Sequence, residues 1–442
     1  TRKLIFGKFW CWIFYLRGYI DSRNKKGIIP TILYLAKNDR SLDSGFYDVL
    51  GMSSTKVQKD SYAYYKELYA YEANQTDTLE GKKIELKNKK NIPITDVLIS
   101  PDGKRIAYVL NDMGRYKVIL QHMEKEEKSI ILRGGQRNQI QNTDYNYPKI
   151  AWNSSGQELA ILFEKNDVIY LGQYDIFTDK FKQTEPITNQ YQRVHSISYK
   201  NNYRMLLSAT INGFSDLFIY SLVDRQTTRI TNDIWDDLDA QTAELDGRKG
   251  YIFSSNRPDT LNNRKIRIDS IVPEDKMDIF FLPEDGSKLI RLTNTPNTNE
   301  REAFCYDENY FTYLSDNTGI VNRYIGEIES YIHHYEQEVF FNDGDIGYFH
   351  NDTLLENVID SIRLTEIDSV NIIPIIEKRG KSIPQTNLRY NLDFQKVNQK
   401  NNSIISKQQS KDNSIIYLSK INTELSADPI SKDFSKKDLA KT

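Results

Sequence analysis

Beyond residue 91, short alternating runs of apolar and polar residues are separated by turn residues. Ile94–Ile99 predicts a strand, and the turn Ser100–Gly103 leads into a second strand, Arg105–Leu110. Two more strands are predicted at Tyr116–Met123 and Ser129–Leu132. Because hairpin turns join them, these four strands predict one small antiparallel sheet.

This four-strand unit recurs with a period of roughly 45 residues. Further units begin near Ile150, Ile197, Leu245 and Tyr306. One such sheet cannot bury both of its faces, so the repeated units predict a ring of sheets, which is a β-propeller. We count five repeats between residues 94 and about 345 and expect a degenerate sixth from about 346 to 395. The predicted fold is therefore mainly β, with a six-bladed β-propeller over residues 94–395.

The residues before the propeller follow a helical pattern. Apolar positions recur at helical spacing up to about Tyr71, and Ser53 or Ser54 is the predicted N-cap of a long last helix. Residues 1–72 are therefore predicted to form a small α-helical domain, with residues 73–93 as a linker or strand. Leu4–Tyr19 is apolar, but charged residues interrupt it and it is shorter than the ~20 apolar residues of a membrane span, so we expect a packed helix.

Two polar segments depart from the strand pattern. Arg257–Lys276 interrupts the fourth repeat and is predicted to be a surface loop. From residue 396 to 442, Asn, Lys, Ser and Gln are frequent, which predicts a polar tail or linker that cannot order itself alone. Because the chain begins with Thr1 and not with Met, we expect any targeting segment to lie outside the given residues.

Composition narrows the classes of function. The 442 residues carry 59 Lys and Arg against 61 Asp and Glu, a net charge of −2, so no global field attracts nucleic acid or an anionic membrane. Aromatic residues reach 12%, which favours many half-buried strands. With only two Cys, the chain cannot build a disulfide framework or a four-thiolate zinc site.

Motifs for catalysis are missing from the sequence. None of the five His belongs to the paired motif of a hydrolytic zinc site, and the adjacent His333 and His334 are predicted to lie in a surface loop. There is no Gly-x-Ser-x-Gly elbow and no Gly-rich phosphate loop with a Lys. We therefore predict no catalytic residues, no cofactor and no metal, and a chain that is not an enzyme.

The most concentrated acidic feature is the loop Asp233–Asp239, which enters the fourth repeat. Its carboxylates can hold a hard cation or form Asx turns, and the sequence allows both. Asn297–Arg301 occupies the equivalent position before the fifth repeat, so both loops are expected at one mouth of the central channel. Trp235 is the Trp expected to be exposed there. The predicted partner-binding residues are Trp235, Asp236, Asp237, Asp239, Asn299, Glu300 and Arg301.

The repeats resemble those of TolB-like propellers, which carry PD40 or WD-repeat-like motifs. Ile99–Tyr108 contains the Ser-Pro-Asp-Gly turn that precedes a strand in that family. Ser215–Tyr220, Thr228–Asp233 and Asp236–Asp239 are similar to its blade junction, whereas Trp152–Gly156 departs from its turn consensus. The resemblance covers residues 94 to about 345 and implies a protein of the periplasm or the outer membrane.

The flanking helices sharpen this resemblance. Ile29–Tyr34 and Ser44–Ser53 resemble the C-terminal helical part of a gluzincin-type metallopeptidase domain, which precedes a TolB-like propeller in large envelope proteins of Bacteroidota. The zinc-binding helix of such a domain would lie upstream, so the resemblance implies a non-catalytic remnant. The O-glycosylation pattern of that group, Asp followed by Ser or Thr and an aliphatic residue, occurs at several places, including Asp77–Leu79 and Asp368–Val370.

These features lead to one main expectation, a non-enzymatic scaffold that binds protein partners in a bacterial cell-envelope or outer-membrane assembly. Two alternatives stay open. The first is that the chain is the non-catalytic part of a zinc metallopeptidase. The second is that it binds a small ligand or cation in its central channel through the acidic loop.

Overall fold

A computed structural model describes the chain in two compact units. The described residues are 16–23, 27–39, 41–86, 88, 92–125, 127–138, 143–187, 191–260, 276–359, 361–409 and 414–423. The first unit comprises Thr1–Thr78, Asn387–Arg389 and Ile430–Thr442, and the second comprises Leu79–Thr386 and Tyr390–Pro429. Within the described part of the chain, no helix combines the length and the apolar character that crossing a membrane requires.

The first unit is helical. Residues 16–23 form α1, and the helices that follow are α2 (Ile28–Asn38), α3 (Leu42–Leu50) and α4 (Ser54–Gln75). The Ser53 hydroxyl accepts a hydrogen bond from the Lys56 N–H at 3.3 Å, which confirms Ser53 as the N-cap of the long helix. The core of this unit includes Leu16, Tyr19, Ile20, Ile32, Phe46 and Val57. Most of the apolar stretch Leu4–Tyr19 lies outside the described residues.

The second unit is mainly β, and the strands among its described residues form six sheets. The first strand is β1 (Lys82–Ile84). Sheet 1 contains β2 (Ile94–Ile99), β3 (Arg105–Asp112), β4 (Arg115–His122) and β5 (Lys128–Gly134). Sheet 2 contains β6 (Lys149–Trp152), β7 (Glu158–Lys165), β8 (Val168–Asp175) and β9 (Lys180–Pro186). Sheet 3 contains β10 (Arg193–Asn201), β11 (Arg204–Ile211), β12 (Phe214–Ser221) and β13 (Thr227–Arg229).

The remaining sheets are larger or discontinuous in sequence. Sheet 4 contains β14 (Asp237–Leu245), β15 (Arg248–Ser255), β16 (Asp278–Pro283) and β17 (Ile290–Arg291). Sheet 5 contains β18 (Glu300–Cys305), β19 (Tyr310–Ser315), β20 (Asn322–Phe341), β21 (Ile346–His350) and β22 (Ile367–Pro384). Sheet 6 contains β23 (Leu392–Asn398), β24 (Ser403–Gln409), β25 (Ser414–Lys420) and β1.

One strand of each sheet contacts the corresponding strand of the next sheet. These contacts run from β2 to β6, β10, β14, β18 and β23, and β23 contacts β2 again. Apolar clusters fill the spaces between neighbouring sheets, as between sheets 2 and 3 and between sheets 3 and 4. Sheets that pair face to face in cyclic order are the arrangement of a β-propeller. These six strands, β2, β6, β10, β14, β18 and β23, are called the inner strands below.

The Ser100–Gly103 turn between β2 and β3 has the predicted geometry. The Gly103 N–H donates to the Ser100 carbonyl at 2.8 Å, and Gly103 has a φ of 74°, which a residue with a Cβ adopts rarely. The Ser100 hydroxyl donates to Asp102 at 2.6 Å. Sheet 2 repeats the turn with Asn153 in place of Ser100, so the departure from the consensus leaves the hairpin intact.

Part of the segment predicted as a polar tail forms strands of sheet 6. Residues 396–420, predicted as tail or linker, contribute to β23, β24 and β25, and β1 pairs with β25 so that Ile84 lies opposite Ile416. Ile405 and Ile416 are buried against sheet 1, because a few apolar side chains on one face are enough for a short strand to pack there. The final part of the predicted tail, residues 424–442, lies outside the described residues.

The expected sixth repeat, from about 346 to 395, is for the most part an extension of sheet 5. The strand β20 pairs with β19 only as far as Glu327, then continues to Phe341 while paired with β22. We call residues 328–377 the arm. At its tip, β21, a short 3-10 helix (Leu355–Asn357) and the helical turn α5 (Ser361–Leu364) surround a small core that includes Val339, Phe341 and Ile359. His333 and His334 lie in β20 and not in a surface loop.

Candidate functional site

The predicted acidic loop is packed into the protein. Trp235, expected to be exposed, has an exposed fraction of only 3%, and the Asp237 side chain is fully buried. The buried guanidinium of Arg257 donates to both carboxylate oxygens of Asp237, at 2.6 and 2.7 Å, and lies 3.4 Å from Asp233. Arg257 therefore belongs to the core, although the sequence placed it at the start of a surface loop. Residues 261–275 of that loop lie outside the described residues.

Asp216 completes this acidic cluster. The carboxylate oxygens of Asp216, Asp233 and Asp237 lie within 4.8 Å of one another, and Arg229 forms an ion pair with Asp216. Burial raises the pKa of Asp216 to about 6 and also raises the pKa of Asp237, although Arg229 and Arg257 act in the opposite direction. Two guanidinium groups thus supply the positive charge that the sequence analysis assigned to a possible metal ion.

An equivalent Asp–Arg ion pair occurs in sheet 4. Asp278 and Arg291 form a pair, as do Asp216 and Arg229, and in both cases the partners are thirteen positions apart in the sequence. In both pairs the Arg Nε donates to the carbonyl of the Thr two residues later, at 3.0 and 3.1 Å. A repeated arrangement in sheets 3 and 4 indicates a structural role in holding the last strand of each sheet.

The second predicted loop is partly buried as well. The Asn299 N–H donates to Asp316 at 2.7 Å, and Glu300 has an exposed fraction of 1%. Burial raises the pKa of Glu300 to about 7, against the hydrogen bonds from Thr293 and Thr295. Of the seven predicted residues, Trp235, Asp237 and Glu300 are buried. Asp236, Asp239, Asn299 and Arg301 are partly exposed.

Ion pairs also connect neighbouring inner strands. Arg301 of β18 pairs with Asp239 of β14, and Lys396 of β23 lies 2.9 Å from Glu302 of β18. Burial alone would raise the pKa of Asp239, but Arg301 lowers it to about 2. The structure thus brings Asp239 and Arg301 together, from two loops that the sequence analysis placed at the same mouth. Because Asp239 and Arg301 pair with each other, neither side chain offers an unpaired charge to a partner at that mouth.

One histidine lies on an inner strand. His195 Nε2 is 2.7 Å from the Thr210 hydroxyl and 3.5 Å from that of Ser215. Burial and the nearby Arg193 lower the pKa of His195 to about 4, so the imidazole stays neutral near pH 7. A base with so low a pKa abstracts a hydroxyl proton poorly, because general bases work best with a pKa near the working pH.

The arm carries an exposed apolar face that the sequence analysis missed. Ile372 and Ile376 are each 63% exposed, and Ile332, which lies opposite Ile376, is 50% exposed. Because side chains alternate along a strand, Val370, Ile372, Pro374 and Ile376 share one side of β22, with Ile332 and Tyr335 opposite. These residues form the arm face. The signal in the sequence was the run Val370–Ile376, which is apolar except at Asn371. Among the described residues, no sheet covers this side of β22.

The base of the arm is fixed against sheet 4. A Cβ added at Gly380 would lie 2.1 Å from the Leu292 carbonyl oxygen, so β22 approaches the backbone after β17 closely. Lys378 pairs with Asp246, and the Arg379 guanidinium stacks over the Tyr331 ring at 4.5 Å. The arm therefore leaves sheet 5 in a defined direction and holds the arm face in a set position.

Comparison with known proteins adds the following. No protein-family model matches the chain, and no curated protein matches it. The β-propeller domain of the Trilobed protease from Pyrococcus furiosus covers 77% of this chain and 83% of its own, with 12% identity and a TM-score of 0.42. TolB from Acinetobacter baumannii covers 83% and 71%, with 15% identity and a TM-score of 0.39. An oligogalacturonate lyase in complex with manganese covers 74% and 76%, with 10% identity and a TM-score of 0.39.

These likenesses are remote. The TM-scores are all below 0.5 and the identities do not exceed 15%, so the β-propeller assignment rests on the six sheets and the cyclic contacts of their inner strands. A TolB protein, a protease domain and a lyase are among the similar structures. The comparison therefore does not separate an enzyme from a non-enzymatic propeller.

Proposed function

We propose that this chain is a six-bladed β-propeller that acts as a non-enzymatic scaffold and binds another protein through the arm face. The observation that carries the proposal is the exposure of Ile332, Ile372 and Ile376 on one side of the paired strands β20 and β22. Contiguous apolar surface of this kind is uncommon on isolated proteins and typical of protein interfaces. The fixed base of the arm reduces the entropy lost on binding, because the contact surface is already ordered.

The chemistry of the ring supports a binding role. Asp216 pairs with Arg229, Asp233 and Asp237 both pair with Arg257, and His195 has a low pKa and a hydroxyl partner. The low pKa of His195 makes it a poor general base, and the three carboxylates are buried inside the propeller. The partner on the arm face is expected to present an apolar surface with few charges at its centre, as protein interfaces do.

We place this scaffold in the periplasm or at the outer membrane of a Bacteroidota-type cell, in an assembly with another envelope protein. Support comes from the resemblance of the repeats to TolB-like propellers and from the Asp-Ser/Thr-aliphatic pattern. Thr78 and Ser369 of that pattern are exposed, as a glycan acceptor must be. Mass spectrometry of the protein purified from its native host tests the location, since glycan masses on Thr78 or Ser369 are expected only after passage through the periplasm.

Site-specific crosslinking tests the binding role. A photoreactive benzoylphenylalanine placed at Ile372 is expected to crosslink one protein species in native cells. The same residue at Val223, which is 73% exposed but lies on the propeller, serves as the matched control. Equal crosslinking patterns at the two positions, or none at Ile372, would contradict the proposal.

A shortened variant tests the arm as a unit. Residues 331–377 are replaced by Asn-Gly, which joins the paired residues Ser330 and Lys378 through a two-residue hairpin turn. The variant is expected to keep the circular dichroism spectrum and the cooperative unfolding of the propeller and to lose co-purification of the crosslinked partner. Retained co-purification would show that the partner binds elsewhere.

A further inference from the structure

The arm carries two adjacent histidines whose rings face each other. In a regular strand, successive side chains point to opposite faces. The register of β20 against β22 shifts between Ile332 and His334, so His333 is an extra residue in β20, and this β-bulge turns its side chain toward that of His334. The two Nδ1 atoms lie 2.7 Å apart. The bulge thus brings two imidazole nitrogens together.

The Nε2 atom of each ring faces a carboxylate. His334 Nε2 is 3.0 Å from Glu336 Oε1, and His333 Nε2 is 3.9 Å from Glu377 Oε2. A neutral imidazole carries one N–H, and a carboxylate beside Nε2 holds the proton on that nitrogen. Both Nδ1 atoms then present lone pairs to each other, which repel at 2.7 Å unless a cation lies between them.

The geometry suits a metal ion as that cation. Imidazole nitrogens bind zinc at about 2.0–2.1 Å, so two of them at a right angle around one ion lie about 2.9 Å apart. The observed 2.7 Å needs only a small opening of the pair. Histidines that bind metals almost always donate their other N–H to a carboxylate, a carbonyl or water, which fixes the ring. Glu336 and Glu377 occupy that position here.

The pair is open to solvent and supported from one side. The side chain of His333 is 50% exposed and that of His334 is 26% exposed, so an ion can reach both. His350 of β21 stacks on His334, with ring centroids 5.1 Å apart and planes at 11°, which limits the turning of the His334 ring. His334 lies opposite Ile375, on the side of the arm away from the arm face.

We propose that His333 and His334 bind one divalent transition-metal ion through their Nδ1 atoms, with water at its remaining positions. Imidazole ligands favour ions such as zinc and copper, whereas Mg²⁺ and Ca²⁺ prefer oxygen. Cu²⁺ is expected to bind more tightly than Zn²⁺, following the general order of affinity of these ions.

Metal titration of the full chain, prepared without a histidine tag, tests the site. Cu²⁺ is expected to bind saturably, with couplings from two nitrogens in its electron paramagnetic resonance spectrum. Zn²⁺ is expected to compete for the site, and Mg²⁺ at the same concentration is not. His333→Gln and His334→Gln are each expected to weaken Cu²⁺ binding about 30-fold or more, since loss of an outer hydrogen-bond partner alone costs about 10–100-fold.

Three further variants locate the ion. Glu336→Gln is expected to weaken binding about tenfold and to keep both nitrogen couplings, because Glu336 orients His334 without touching the ion. His350→Phe keeps the stacked ring but removes an imidazole beside the pair, and His122→Gln removes one from β4 of the propeller. Both are expected to bind Cu²⁺ within about twofold of the parent protein, since neither residue supplies a ligand. Circular dichroism checks that every variant is folded.

The outcomes are distinct. Saturable Cu²⁺ binding that depends on His333 and His334 but not on His350 or His122 supports the site. The proposal is overturned if neither Cu²⁺ nor Zn²⁺ binds, as expected of a pair that only shares a proton, or if all four histidine variants lose affinity equally. Crosslinking at Ile372 probes the other side of the arm, so the scaffold role is tested separately.

Discussion

The Arg257 guanidinium donates to both carboxylate oxygens of Asp237, at 2.6 and 2.7 Å, although neither side chain reaches solvent. Asp237 begins an inner strand and Arg257 follows the second strand of the same sheet, so the pair joins the two ends of a hairpin. Asp233 lies 3.4 Å from the same guanidinium. One arginine thus lies beside two buried carboxylates.

Arg257→Met is expected to destabilise the propeller by about 3–5 kcal/mol, because it leaves buried carboxylates without a counter-charge. The loss should shrink at acid pH, because burial raises the pKa of Asp237 and protonation removes its unpaired charge. Urea unfolding at pH 7.5 and pH 4.5 measures both effects. Arg204→Met, at an exposed position of β11, is the control and is expected to change stability by less than about 0.5 kcal/mol. Equal unfolding midpoints for the two variants would rule out this role for Arg257.

The strands of the ring could be predicted because their signals are local. β2 and β3 follow the predicted Ile94–Ile99 and Arg105–Leu110, since alternation and the Ser100–Gly103 turn lie within a few residues of each other. The sheet that joins the two ends of the ring has no such signal. Lys83 and Tyr417 pair across the whole propeller sequence, and no local pattern identifies a partner so distant.

The candidate site was predicted less well than the fold. Trp235 and Asp237 lie in a polar segment that suggested exposure, but Arg257 lies twenty positions beyond Asp237 and turns the segment inward. The arm face presented the opposite problem. Ile372 and Ile376 are the residues of a buried strand by composition, and their exposure depends on the absence of a neighbouring sheet beside the arm in this part of the structure.

Gly380→Ala is expected to loosen the base of the arm. The added Cβ would lie 2.1 Å from the Leu292 carbonyl oxygen, so β22 must move away from sheet 4. We expect a destabilisation of about 1–3 kcal/mol and faster proteolysis within the arm. Lys381→Ala, at an exposed position next to Gly380, controls for side-chain loss. Thermal unfolding and limited proteolysis measure the two effects. Unchanged cleavage rates would argue against close packing of Gly380 on the Leu292 carbonyl.

Glu300 is expected to make the propeller less stable as the pH rises. Its folded pKa of about 7 lies above the ordinary 4.5, so the folded state binds more protons than the unfolded chain between these values. Unfolding free energy should therefore fall by about 1–3 kcal/mol from pH 5 to pH 8 through this group. Glu300→Gln should remove that fall and raise stability at pH 8. A variant with the same slope as the parent protein would show that Glu300 titrates normally.

The junction between β1 and β25 is expected to limit the stability of the ring. Lys83 and Tyr417 are directly opposite in this antiparallel pair, and opposite Cα atoms of such pairs lie about 4.5–5.5 Å apart, within the range of a disulfide. Lys83→Cys with Tyr417→Cys would close a loop of more than 300 residues and should stabilise the oxidised protein by about 2–4 kcal/mol. Guanidinium unfolding of the oxidised and reduced forms measures the difference, with Lys83→Cys alone as the control. If the oxidised double variant unfolds at the same denaturant concentration as the reduced one, opening of the ring at this junction is not the step that begins unfolding.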